Sequence, residues 1–146
     1  MIRVRVFNAH RARRIRRAAV AEAVRGVARG ERRRDAAFSV VFVGDRATAA
    51  MNRQYLGHAG STDVISFPLG EGRAVEGEVY VNLDRARVQA RRYGVPISEE
   101  VCRLVVHGTL HLLGEDDTTA AARRRMKRKE DAYVARLGRA GNHRWL

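Results

Sequence analysis

The sequence predicts a single α+β domain, a four-stranded mixed sheet with about five helices, and three observations carry that expectation. In the first half, short runs alternate apolar and polar residues at a period of two, as half-buried strands do, whereas the second half is helical in period. One helix of that second half, around residues 101–113, is apolar nearly all round and therefore belongs at the buried centre. Finally, 146 residues with 45% hydrophobic content supply one core's worth of apolar side chains, and no repeat or linker divides them, so residues 1–146 read as one domain.

The first strand spans residues 2–7, where Ile2, Val4 and Val6 alternate with Arg3 and Arg5. A helix over 10–29 follows, with Val20, Val24 and Val27 as its apolar stripe and Arg11, Arg14, Arg25 and Arg29 on the opposite face. Arg13, Arg16 and Arg17 fall nearer the apolar side, where only snorkelling stems suit them. After a basic loop, residues 38–43 form a strand whose continuous apolar character places it centrally. Asp45 suits the N-cap of a short helix to about Tyr55, with Ala49, Met51 and Leu56 for packing. Residues 57–62 are a loop and 63–67 a strand stopped by Pro68. A glycine-rich connection then leads to a fourth strand over 78–82, the antiparallel neighbour of the third. Three helices complete the chain: 84–93, one capped by Ser98 and continuing from Val101, and 118–137. In the tail after 137, Trp145 either docks on the domain or hangs loose.

The formal net charge is +13 and the isoelectric point about 11.4, which favours a polyanionic partner such as nucleic acid. Only Lys127 and Lys129 are lysines among the 29 basic residues, so a general preference for arginine accounts for part of the excess. The single cysteine, Cys102, has no internal partner and reads as a small core residue in a reducing compartment. The arginine-rich start has the composition of a transit peptide, but its strand-like alternation speaks for a folded segment. No apolar run approaches the roughly 18 residues of a membrane span, and the expected location is the cytoplasm.

The chemistry concentrates in residues 106–117. His107 and His111 are four apart, so on a helix both imidazoles point toward one place. Gly114 permits a left-handed turn that ends the helix and brings the chain back. Asp117 is then the candidate third ligand, with Asp116 as the alternative; Glu115, Asp116 and Asp117 also suit capping of the last helix. Two imidazoles and one carboxylate leave a coordination position open, which is how catalytic metals are held. Zinc is the expected metal, although manganese, iron and nickel also suit such a donor set. Zinc peptidases place a glutamate after the first histidine as general base; here that position is Gly108, which sets peptidase chemistry aside.

The run from His107 to Gly114 resembles the signature of the YbeY endoribonucleases, bacterial factors of ribosomal RNA maturation and ribosome quality control. Similarity extends upstream to Met51-Asn52, residues 62–68 and 77–81, and downstream to Met126 and Glu130. The resemblance implies metal-assisted hydrolysis of an RNA phosphodiester, preferentially in single strands, with RNA and a ribosomal subunit as partners. In that chemistry His107, His111 and Asp117 would hold one divalent metal per chain. Two positions depart from the pattern: the usual third histidine is Asp117, and the arginine common after the matching tyrosine is Leu56. Arg53 or Arg73 could stand in for that arginine, and Ser61, Thr62, Asp63 and Ser66 could line the cleft, or serve only as turn and strand-edge hydrogen-bonding groups. The alternative function is a ribosome-associated assembly factor with a structural metal and little nuclease activity. A metallohydrolase of a small anionic substrate is a third reading.

Overall fold

A computed structural model describes residues 1–70, 72, 74–139 and 145–146. Strands β1 (Ile2–Asn8), β2 (Ala36–Val43), β3 (Val64–Leu69) and β4 (Val75–Asn82) are joined by helices α1 (Arg17–Gly30) and α2 (Asp45–Leu56). Helices α3 (Leu83–Tyr93), α4 (Ile97–Leu112) and α5 (Ala120–Arg139) follow. The strands form one sheet in the order β1-β2-β4-β3. β1–β2 and β2–β4 are parallel, and β3–β4 is antiparallel, which makes the sheet mixed, with β2 and β4 in the middle.

Alternation decides which sheet face is buried. Phe38, Val40 and Phe42 of β2 and Val79 and Val81 of β4 turn into the core, joined by Val20, Val24 and Val27 of α1. α4 lies on β3 and β4 and packs against α1, α3 and α5, so the helix that is apolar all round is the centre of the domain. Two glycines set how closely it lies. A Cβ on Gly108 would stand 2.5 Å from Val79 Cγ1, and one on Gly77 2.5 Å from Leu112 Cδ2. Cys102 is buried in this core, and burial pushes its thiol up to about 12. Among the described residues, no helix is long and apolar enough to cross a membrane.

Several local expectations are corrected. Residues 10–16 are not helical, so Arg11, Arg13, Arg14 and Arg16 share no helix face with Arg25 and Arg29. Side chains hold this segment in another shape: Asn8 donates to the Arg13 carbonyl at 2.7 Å and accepts from the His10 N–H at 2.9 Å. Next in the chain, the His10 ring reaches Asp84 at 2.8 Å. Gly44, not Asp45, precedes α2; Asp45 is drawn into a tertiary network, accepting from Asn82 at 2.7 Å. Buried Thr48 and Asn52 pack this helix, whereas Leu56 is exposed.

Pro68 does not stop β3 but pairs within it opposite Gly77, a position open to proline because β3 is an edge strand. α4 starts at Ile97 behind Pro96, whose φ of −62° is already set for helix entry, and Ser98 lies inside the first turn without a capping bond. α3 begins at Leu83, capped by Asn82, which accepts from the N–H groups of Asp84 and Arg85. Thr119 rather than Thr118 leads into α5, accepting from Ala122 N–H, and the helix runs on through Gly138. Of the expected tail, residues 140–144 lie outside the described residues. Trp145 docks: it is fully buried, and its carbonyl accepts from Arg16 N–H at 2.7 Å.

Candidate metal centre

Close packing of α4 on the sheet leaves one side of its last two turns facing out, and that side carries His107 and His111, their ring centroids 4.6 Å apart. After Leu113 the chain turns at Gly114, whose φ is +101°, and Glu115 N–H returns to the Leu110 carbonyl. That turn brings Asp117 Oδ2 to 3.5 Å from His111 Nε2 and 3.8 Å from His107 Nε2. One donor atom from each of the three lies within 4.8 Å of the others. The separations are ion-pair distances, longer than ordinary hydrogen bonds, and the three donor atoms face one another across a space that a metal ion could occupy. Asp116 points elsewhere, accepting from the N–H and hydroxyl of Thr118 at 3.2 Å each.

A fourth residue sits behind the cluster. Glu130 of α5 meets His107 Nδ1 at 2.5 Å, and Arg103 in turn lies 3.5 Å from Glu130. This carboxylate orients the imidazole and leaves Nε2 for a ligand, as outer carboxylates do behind metal-bound histidines. Burial, the largest single influence, lowers the basicity of His107, but the Glu130 hydrogen bond and the charges of Glu130, Asp117 and Asp63 together outweigh it, and the net direction is up. Two imidazoles, one carboxylate and an orienting carboxylate form a donor set that fits a divalent metal.

The cluster opens into a cleft of about 420 Å³ between α4 and β3. Thr62, Asp63 and Ser66 line it together with His107, His111, Asp117 and Leu56. Buried Asn52 and Asn82 fix the loop that supplies the first two, Asn52 donating to the Gly60 carbonyl and Asn82 to the Thr62 carbonyl at 3.0 and 3.1 Å. Ser66 donates to the Gly108 carbonyl at 3.0 Å, so its hydroxyl also ties β3 to α4. Ser61 and Arg53 do not line this cleft; the Ser61 carbonyl faces Arg85, and Arg53 is exposed on α2. Arg73 lies outside the described residues. Glu130 and Asn82 carry more of the site than their sequence positions suggest: the Glu130 contact spans 23 residues and joins two helices, beyond the reach of any spacing rule. The peptidase base is also sterically absent, because position 108 presses against Val79, Ser66 and Val64.

Fold and cluster together define a small α+β protein with a two-histidine, one-carboxylate centre on its buried helix. The chain belongs to the YbeY family, whose model, described as Endoribonuclease YbeY, matches residues 6–138. A protein of that name from Chlorobaculum parvum is 38% identical over 140 residues, covering 96% of this chain and 99% of its own. The Chlorobium luteolum protein of the same name is 40% identical, covering 84% of this chain and 89% of its own. A protein from Thermotoga maritima solved in solution shares the fold, with a TM-score of 0.65 at 24% identity, covering 97% of this chain and 93% of that one.

Proposed function

We propose that the protein is a metal-dependent endoribonuclease of ribosomal RNA maturation and ribosome quality control, working in the cytoplasm on single-stranded regions of the precursor. The observation that carries this reading is the convergence of His107, His111 and Asp117 at the mouth of a cleft, in a chain similar to proteins named endoribonucleases. These three residues hold one divalent metal, zinc in the first instance. When bound, such an ion lowers the pKa of a coordinated water and polarises a phosphoryl oxygen. Glu130 keeps the His107 ring in its ligating orientation. Thr62, Asp63 and Ser66 border the scissile phosphate, with Arg53 and Ser61 further along the RNA, and the chain's other arginines, Arg73 among them by its charge alone, grip the backbone electrostatically.

The test is incubation of metal-replete protein with structured ribosomal RNA precursor beside its His111→Ala variant. Cleavage by the wild type alone is expected, and equal cleavage by both overturns the reading. Binding of the same RNA should weaken steeply with salt, which a site for a small anionic substrate would not show. One observation favours a second reading, an assembly factor with a structural metal that docks on a ribosomal subunit. Leu56 occupies the cleft wall, and among the described residues no arginine lines the cleft beside it.

A further inference from the structure

The cleft is not the only space that opens on His107. On the other side of its ring, a cavity of about 560 Å³ lies between α3, α4 and α5, within the roughly 300–1,000 Å³ range of small-ligand sites. A smaller hollow beside Gln89 joins the two: it shares Asp63 and His107 with the cleft, and Tyr93, Glu100 and Arg103 with the cavity. His107 thus lines all three spaces. An RNA strand whose phosphate meets the His107–His111–Asp117 cluster would therefore have a neighbouring nucleotide over this cavity.

The lining suits a base better than a phosphate. Tyr93, at the end of α3, is 60% exposed and lines both the cavity and the hollow, an aromatic side chain of the kind on which any base can stack. Three cations stand in the wall, Arg103 at 2.8 Å and Lys127 at 3.6 Å from Asp131 and Arg123 donating to the Asp117 carbonyl at 3.3 Å, but four carboxylates, Glu99, Glu100, Asp117 and Glu130, line the same space and make it unfavourable to a phosphate. At the floor, Glu100 is only 3% exposed, yet it lines both hollows. Gln89 donates to one of its oxygens at 2.6 Å; the other Glu100 oxygen and the Gln89 carbonyl are acceptors. Acceptors at the floor call for a base edge that carries N–H donors. Guanine presents two adjacent ones, at N1 and the 2-amino group.

We propose that this cavity is a base-binding subsite, in which a nucleotide flanking the scissile phosphate stacks on Tyr93 and turns its N–H edge to Glu100, with guanine preferred. The proposal rests on the RNA-cleaving reading above, but its test is read by binding alone. Short oligouridylates carrying one guanosine, one inosine or neither are titrated into chelator-treated protein and followed by fluorescence anisotropy. The guanosine oligomer should bind at least about fivefold more tightly than oligouridylate, and inosine, which lacks the 2-amino group, should lose part of that gain. Tyr93→Ala, a change at an exposed position, should abolish the gain while Tyr93→Phe keeps it. Glu100→Gln, which preserves size, should shrink the guanosine–inosine difference. Equal affinity for all three oligomers, or a Tyr93→Ala variant with its preference intact, overturns the subsite. A retained preference in a protein that cleaves no RNA supports the subsite and overturns only the nuclease reading.

Discussion

Glu130 of α5 holds the Nδ1 of His107 on α4 at 2.5 Å, so the last helix fixes the orientation of a ring that the central helix presents. Glu130→Ala should therefore weaken metal affinity by roughly 10- to 100-fold without removing a ligand. Competition against a chromogenic chelator measures it, and an unchanged affinity would show that α4 packing alone orients His107. Glu130→Gln, which can still hydrogen-bond Nδ1, should lose less.

The turn at Gly114 separates two adjacent aspartates. Asp117 faces both imidazoles, whereas Asp116 accepts from Thr118. Asp117→Ala should lower the metal content of purified protein well below one per chain, and Asp116→Ala should leave it near one. Elemental analysis reads both, and the reverse order would mean that Asp116 is the ligand.

A methyl group at position 108 has no room, since it would meet Val79 Cγ1 at 2.5 Å and Ser66 Oγ at 3.1 Å. Gly108→Ala should destabilise the fold by about 1–3 kcal/mol through overpacking and shift the histidine pair away from β3. Urea denaturation checks the first effect and metal titration the second. A variant with wild-type stability would show that α4 can lift from the sheet freely.

Glu115 anchors α5 to the end of α4, lying 2.8 Å from Lys129 Nζ and 3.0 Å from Arg125 Nε. The Lys129 hydrogen bond is the main cause holding its carboxyl below the usual glutamate range; the Arg125 hydrogen bond and both positive charges add to it, and burial opposes them. A folded-state value below the unfolded one means that the native state binds this proton less tightly. The stabilisation is thus complete above the unfolded glutamate pKa, about 4.3, and is lost as pH falls through the lower folded value. Glu115→Gln should flatten the acid limb of the stability profile below that pH. An identical acid limb in wild type and variant would contradict the assignment.

Trp145 is fully buried, and its backbone carbonyl receives Arg16 N–H at the entrance to α1. Trp145→Ala should cost about 3–5 kcal/mol, as large buried aromatics do. Thermal unfolding gives the answer, and a loss under about 1 kcal/mol would mean that the indole is replaceable by water or local collapse.

The parts of the molecule that depend on one element's periodicity were legible in the sequence. Alternation in β1 and the apolar run of β2 gave the sheet, and four-residue spacing put His107 and His111 side by side. What escaped depends on contacts between elements. Residues 10–16 have the composition of a helix, but Asn8 and His10 hold them through bonds to Arg13 and Asp84. Asp45 and Ser98 are good capping residues, yet Asp45 is claimed by Asn82, and Pro96 starts α4 before Ser98 can act. Glu130 behind His107 and Asn82 beneath the cleft loop follow the same pattern, each set by a partner on another element.

Pro68, in the edge strand beside the cleft, bears on what can approach there. An outer strand with a full row of N–H and C=O groups invites an extended peptide to add itself to the sheet. Proline contributes no N–H, and Pro68 is itself exposed, so this border of the sheet is a poor template for continuous backbone pairing. A chain that approaches this border is not held by a continuous backbone ladder there, so its recognition falls to side groups and charges.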